Sequence, residues 1–125
     1  PPGQAKYVVC AMGSIQDYVV DIRVGSPTFG QWEAVTMTAK DRNAILLDVG
    51  LGHAFVALEE GTTVTYLVTD HFKPHAEHAI NPLDPELGLE FPFSGDQLLV
   101  SAKDREAPSF ADALSSGMLP KWAGR

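Results

Sequence analysis

The segment Ile15–Arg23 constrains the fold of this chain more than any other stretch, because a two-residue period runs through it and then stops at a turn. Side chains alternate between the two faces of a β-strand, so Asp17, Asp21 and Arg23 share one face and the mainly apolar even positions share the other. A Gly-Ser-Pro sequence at residues 25–27 supplies the turn. Taken alone, the polar face is interpreted as the solvated outer surface of a sheet.

Short β-rich runs separated by turn signals make up most of the remaining chain. The other predicted strands are Lys6–Cys10, Trp32–Thr38, Ala44–Leu47, His53–Glu59, Thr62–Thr69 and Gln97–Val100. A tight connection is predicted at residues 11–14, and a hairpin turn is predicted at Glu60-Gly61. Residues 70–84 are irregular, and residues 85–92 are typical of a loop or a sheet edge.

One helix is predicted, and it lies late in the chain. Ser109 is its N-cap, the helix covers Phe110–Ser115, Asp112 occupies the capping-box position, and Gly117 ends it. Many short strands with close turns and a single late helix predict an all-β sandwich or jelly roll.

Length and charge exclude several classes of protein. A chain of 125 residues corresponds to one domain, predicted to cover residues 1–125, and no apolar run approaches the roughly 18 residues that a membrane helix needs. The net charge of −7 argues against non-specific nucleic-acid binding but leaves room for an anionic small ligand. The single Cys10, a predicted small core residue, favours a reducing, cytoplasmic setting.

Residue patterns alone give only weak candidates for chemistry. A His71, His75 and His78 group could bind zinc or nickel, but Pro74 interrupts any helix that would align the three, and solvated loop histidines are the favoured interpretation. No metal site is therefore predicted. Tyr66 fits a half-buried strand aromatic. Other positions that fit solvated surface charges are Lys6, Asp104 and Arg105.

Six segments in the same order and with near-unchanged spacing carry a family resemblance. The sequence Asp21–Gly30 matches the pattern D-[IL]-R-x-G-S-P-T-F-G, which is long and unusual. The other matching segments are Ala5–Val8, Gly50–Phe55, Thr65–Phe72, Asp84–Leu89 and Val100–Asp104. Together they resemble the dTDP-4-dehydrorhamnose 3,5-epimerase family, and the resemblance extends over nearly the whole chain.

The resemblance implies a cupin-like jelly roll, usually a homodimer, that epimerises a dTDP-4-keto-6-deoxyhexose without a cofactor. In that family a histidine–aspartate pair removes the proton beside the C4 ketone, and a tyrosine returns a proton from the opposite face. Asp104 corresponds to the aspartate and Tyr66 to the tyrosine. The residues that match the substrate site are Lys6 near the enolate oxygen, Asp17 and His53 in the sugar pocket, Phe72, and Arg105 at the diphosphate.

Two departures from the family pattern modify these expectations. The family's base lies in an R-G-x-H motif just ahead of the segment matched by Pro1-Pro2-Gly3, so the chain is expected to be part of a longer polypeptide that includes this segment. Phe72 stands where the 3,5-epimerases usually have a tyrosine, which favours single C3 inversion, as in antibiotic-sugar pathways. A non-catalytic sugar-nucleotide-binding jelly roll and a metal-dependent cupin oxygenase are the alternatives.

Overall fold

The computed structural model describes residues 5–48, 50–68, 80–92 and 102–122. These residues form six strands and two short helices, and none of the helices among them has the length and apolar character needed to cross a membrane. The strands are β1 (Lys6–Met12), β2 (Ser14–Asp21), β3 (Trp32–Thr38), β4 (Ala44–Leu47), β5 (Leu51–Ala57) and β6 (Thr63–Val68). The helices are α1 (Ala102–Arg105) and α2 (Phe110–Ser115). The all-β prediction is confirmed, whereas helix α1 was not predicted.

The strands form two antiparallel sheets of three, in the orders β4-β1-β6 and β3-β2-β5. The two central strands are consecutive in the chain, so the chain passes from one sheet to the other at Gly13. Gly13 has a φ of 78°, and a Cβ at this position would collide with Thr62 Oγ1. Glycine is therefore required here, because it accepts the left-handed conformation and leaves room for Thr62.

The predicted hairpin at Glu60-Gly61 is wrong. A turn does form, and Gly61 has a φ of 74°, but the strands on either side belong to different sheets. Strand β5 pairs with β2, and strand β6 pairs with β1. The turn sequence signals a change of direction and does not specify which strands pair after it.

The two sheets pack face to face around an apolar cluster. Cys10 from β1 contacts Ile15 from β2 and Met37 from β3, with Ile45 and Val64 packed against them. The first three are at most 2% exposed. Because this cluster lies close to the crossing at Gly13, it closes one end of the space between the sheets, and Cys10 is the core residue that the sequence predicts.

The turn that follows β2 is organised around a buried carboxylate. Asp21 is 6% exposed and accepts hydrogen bonds from the Arg23 guanidinium through both oxygens, at 3.0 Å each. The hydroxyls of Ser26 and Thr28 donate to Asp21 Oδ2 as well. The Arg23 hydrogen bonds, assisted by the two hydroxyls, hold the pKa of Asp21 well below its usual range, against the opposing effect of burial. The prediction that Asp21 is solvated is therefore wrong, and the strand ends at this residue.

Residues 80–92 contain turns and no strand, and they cover the outer face of the sheet β3-β2-β5. Tyr18 is fully buried beneath them, and its hydroxyl donates to the Glu90 carbonyl oxygen at 2.5 Å. The Tyr18 ring makes edge-on contacts with Trp32 and Phe91, at centroid distances of 5.8 and 5.0 Å. Burial, with the nearby Glu90 charge, raises the pKa of Tyr18. The loop predicted for residues 85–92 is confirmed.

Helix α2 has the caps that the sequence predicts. The Asp112 amide donates to Ser109 Oγ at 3.1 Å, and the glycine at position 117 has a φ of 76° just past the last turn. Ala113 is fully buried on the helix, and Val24 pairs in parallel with Lys121 just beyond it. The end of the chain thus packs beside the turn that follows β2.

Candidate active site

A buried histidine–aspartate pair lies on the inward face of the sheet β3-β2-β5. His53 Nε2 lies 2.6 Å from Asp17 Oδ2, across neighbouring strands β5 and β2. Asp17 is fully buried and the His53 side chain is 10% exposed. Asp17 shares its face with the core residue Ile15, because the two are separated by one strand period. The interpretation of this face as a solvated outer surface is therefore wrong.

Asp17 retains unused hydrogen-bonding capacity. No residue in the described part of the chain donates to Asp17 Oδ1, which is buried. Buried carboxylate oxygens are normally satisfied, since leaving one without a partner costs about 1–3 kcal/mol. Among the described residues, this oxygen therefore lacks the donor that a buried carboxylate oxygen normally has. The ring contact of His53 with Phe55, at a centroid distance of 5.9 Å, gives the pair an aromatic neighbour.

Lys6 and Tyr66 form a second pair, on the opposite sheet. Lys6 Nζ lies 5.8 Å from the centroid of the Tyr66 ring. Val8 is the direct partner of Tyr66 in the β1–β6 ladder, and it is fully buried, so the face that these residues share points inward. Tyr66 itself is 53% exposed, so this residue remains accessible on the inward face.

The two pairs occupy the same end of the space between the sheets. Along β1, Lys6 lies further from the Gly13 crossing than the core residue Cys10; along β2, Asp17 lies further from it than Ile15. The interior is thus apolar near the crossing and becomes polar away from it. The inward faces at this end thus carry an ammonium and a phenol on one sheet and a carboxylate and an imidazole on the other.

The remaining predicted site residues are Asp104, Arg105 and Phe72. Asp104 is partly buried and Arg105 is exposed, and both belong to the short helix α1. Phe72 lies outside the described residues, as do His71, His75 and His78. Among the residues that the structure describes, no group of three or more potential metal ligands comes together.

Asn81 and Asp84 hold the segment after Asp104, and neither residue was predicted to have this role. Asn81 Nδ2 donates to the Arg105 carbonyl oxygen at 3.2 Å, and Asp84 Oδ2 accepts from the Phe110 amide at 2.6 Å. Asp84 belongs to one of the matching motifs, but the motif carried no role. A Pro-flanked Asn and Asp, both strong turn formers, were the available signal.

The two facing sheets, whose shared interior becomes polar at one end, define a cupin-like jelly roll, and the solved structures that this chain resembles share that fold. The dTDP-4-dehydrorhamnose 3,5-epimerase family model matches residues 1–112. The chain belongs to this family.

Individual relatives cover almost all of the chain. It is 51% identical to the dTDP-4-dehydrorhamnose 3,5-epimerase of Mycolicibacterium smegmatis, over 98% of this chain and 60% of that protein. It is 48% identical to a dTDP-4-dehydro-6-deoxyglucose 3-epimerase from a Streptomyces species, over 98% of this chain and 62% of that protein. The crystal structure of a 3'-monoepimerase from Streptomyces bikiniensis in complex with dTDP-quinovose superimposes with a TM-score of 0.91, at 48% identity over 97% of this chain and 61% of that one. The chain therefore spans about 60% of the length of these relatives.

Proposed function

We propose that the protein is an isomerase that epimerises a dTDP-4-keto-6-deoxyhexose at C3, or at C3 and C5, in deoxysugar biosynthesis. The observation that carries this proposal is the presence of two polar pairs at one end of the space between the sheets, Lys6 with Tyr66 on one sheet and Asp17 with His53 on the other. The relatives act on dTDP-4-keto sugars by name, and the solved 3'-monoepimerase holds a dTDP-sugar.

The chemistry begins with the acidity of a carbon next to a ketone. Removing its proton produces an enolate, whose negative charge develops on the C4 oxygen. A positioned cation stabilises such a charge in a water-poor site, and the Lys6 ammonium is the group we assign to it. Asp104 would support the family's base histidine, as the aspartate of the base pair.

Inversion requires a proton from the face opposite the base. Tyr66 is the proposed acid, because the residue is half exposed on the inward face and its ring lies beside Lys6. This sequence of proton removal and return changes no oxidation state. A base, an acid and a stabilised enolate oxygen therefore account for the whole reaction.

The remaining polar residues of the candidate site would bind the substrate. Asp17 Oδ1 is a buried acceptor that a sugar hydroxyl can satisfy, and His53 presents its second ring nitrogen as another polar contact. Arg105 is exposed and cationic, and it is the proposed contact for the diphosphate. Phe72 is retained as a proposed sugar-pocket residue on the family match alone.

Two further properties belong to the proposal. A homodimer is supported by exposed apolar side chains on the outer face of the sheet β4-β1-β6, where Leu46 is 75% and Leu67 is 69% exposed. A cytoplasmic location is supported by the single, buried cysteine, Cys10, which fits a reducing compartment.

Isotope exchange tests the activity directly. The full-length protein is incubated with a dTDP-4-keto-6-deoxyhexose in heavy water, and deuterium at C3 and C5 is followed by NMR. We expect uptake at C3, and at C5 as well if both centres are inverted. Binding of the sugar nucleotide without uptake at either carbon would refute the epimerase and identify a non-catalytic binding protein.

A further inference from the structure

Residues 81–84 hold the segment that follows Asp104. Asn81 Nδ2 donates to the Arg105 carbonyl oxygen at 3.2 Å, and the Asn81 amide donates to the Pro108 carbonyl oxygen at 2.9 Å. Asp84 Oδ2 accepts from the Phe110 amide at 2.6 Å. These hydrogen bonds bracket residues 105–110 and join parts of the chain that are 24 to 27 residues apart.

Both side chains also fix their own turn. Asn81 Oδ1 accepts from the Leu83 amide at 3.0 Å, and Asp84 Oδ1 accepts from the Glu86 amide at 3.1 Å. Each side chain therefore uses one atom to shape its turn and a second atom to reach the facing segment. Leu87, which follows directly, is 7% exposed and anchors this turn in the molecule.

Helix α1 depends on such external support. It contains four residues, and a helix of one turn is unstable by itself, because forming the first turn costs more conformational entropy than its hydrogen bonds return. The orientation of residues 104 and 105 must therefore come from contacts outside the helix. The Asn81 hydrogen bond reaches the last residue of α1 directly, and the Asp84 hydrogen bond fixes the start of α2 a few residues later.

We infer that Asn81 and Asp84 are positioning residues, which set the placement of Asp104 and Arg105 at the active site. The inference rests on the proposed function, in which Asp104 supports the base and Arg105 contacts the diphosphate. A shift of about 1 Å in a catalytic group can lower a rate by about a hundredfold, so losing one of these tethers is expected to reduce catalysis more than stability.

The test uses Asn81→Ser in the full-length protein. A serine hydroxyl can still accept from the Leu83 amide, but it is too short to reach the Arg105 carbonyl. The matched control is Asn43→Ser. Asn43 makes the same pair of contacts in the β3–β4 turn: its Nδ2 donates to the Thr36 carbonyl oxygen at 3.1 Å, and its Oδ1 accepts from the Thr38 amide at 3.3 Å.

For each variant, the kcat for deuterium uptake at C3 and the Kd for dTDP are measured below its melting temperature, and Tm is measured by thermal unfolding. Asn81→Ser is expected to lower kcat about tenfold or more and to weaken dTDP binding several-fold. Asn43→Ser is expected to lower Tm by a similar amount while kcat and Kd stay at the wild-type values. Equal kcat and Kd for the two variants would overturn the inference.

A second pair of variants guards against a folding defect at position 81. Asp84→Asn keeps only one acceptor oxygen and so cannot accept from both the Glu86 and the Phe110 amides, whereas Ser109→Ala loses the side-chain hydrogen bond from the Asp112 amide at the start of α2. We expect only Asp84→Asn to reduce kcat and dTDP affinity; a loss in both variants, or in neither, contradicts the inference.

The same experiment separates this inference from the proposed function. If the wild-type protein binds dTDP but shows no deuterium uptake, the epimerase is refuted. The dTDP affinities of the variants alone then decide whether Asn81 and Asp84 position Arg105. If the wild-type protein neither exchanges nor binds dTDP, the inference is overturned together with the function.

Discussion

Tyr66 has two parts with different roles, its hydroxyl and its ring. Tyr66 is half exposed on the inward face of β6, where its hydroxyl is the proposed acid, and its ring offers a surface for the Lys6 ammonium. The ring–cation contact is worth about 0.5–1 kcal/mol at an exposed position, so it orients the lysine more than it stabilises the fold. The hydroxyl is thus the part of Tyr66 whose removal isolates the chemistry.

Tyr66→Phe should separate proton removal from inversion. The ring remains beside Lys6, but the acid on the face opposite the base is lost, and general acid catalysis typically contributes about 10² to 10⁴ in rate. We expect deuterium still to enter at C3 with retention, while formation of the inverted product falls by about a hundredfold or more. Product NMR in heavy water measures both.

Tyr7→Phe is the matched control, since Tyr7 is 45% exposed on β1 and points to the outer face of the same sheet. It should leave inversion unchanged. If inversion by Tyr66→Phe proceeds at the wild-type rate, Tyr66 is not the acid.

At this scale the sequence predicts which residues share a face but not which face is inside. The alternation of β2 correctly groups Asp17 with Asp21, yet a polar face is ordinarily the solvated one. Asp17 is buried because His53, 36 residues later, pairs with it from the neighbouring strand. That partnership depends on which strands pair, so neither the sequence around Asp17 nor the sequence around His53 predicts it.

The turn after β2 shows how one element is stabilised by a single charge. Asp21 accepts from the side chains of Arg23, Ser26 and Thr28 and from the Arg23 amide. Its amide and carbonyl also bond to Gln31 and Gly30, respectively, so the two ends of the turn are tied at the same residue. The carboxylate thus fixes the angle at which the chain leaves β2 and enters β3.

Asp21 should make the fold sensitive to acid. Its pKa is lowered in the folded state, so its ionised form stabilises the protein above the ordinary pKa of about 3.9, and this stabilisation is lost as the pH falls toward the lowered value. Asp21→Asn should cost about 2–3 kcal/mol at pH 7 and flatten the decline of Tm below about pH 4. Asp41→Asn, at an exposed turn, is the control.

Thermal unfolding between pH 7 and pH 3 measures the difference. If the Tm of Asp21→Asn falls with decreasing pH as steeply as the Tm of the wild type and of Asp41→Asn, other carboxylates determine the acid sensitivity.

The elements themselves were largely predictable, and their connections were not. Strands β3 and β4 have the predicted limits, and the Ser109 cap and Gly117 end of α2 follow from local hydrogen bonding. The error at Glu60-Gly61 arose because a turn sequence is the same whether the next strand pairs with the last or joins the other sheet. Helix α1 was missed because its support comes from Asn81, which is distant in the sequence.

At the scale of the whole molecule, the outer face of the sheet β4-β1-β6 carries a row of apolar side chains across all of its strands. Tyr7 lies opposite Leu46 on one side and opposite Leu67 on the other. Their exposures are 45%, 75% and 69%, respectively. The other sheet differs, because residues 80–92 cover its outer face over Tyr18. A second copy of the protein is the proposed cover for the row of Leu46, Tyr7 and Leu67.

Leu67→Lys should therefore convert a dimer to a monomer. Burying a leucine contributes about 1.5–3 kcal/mol for each copy, and the substitution also places an ammonium from each protomer against an apolar partner surface. Sedimentation equilibrium over a range of protein concentrations should show a dissociation constant raised by at least about a hundredfold, given these energies. Leu114→Lys, at a 41% exposed position on α2, changes charge equally and should leave the dimer intact. If Leu67→Lys remains as dimeric as Leu114→Lys, or if the wild-type protein is monomeric at all concentrations, this face is not a dimer interface.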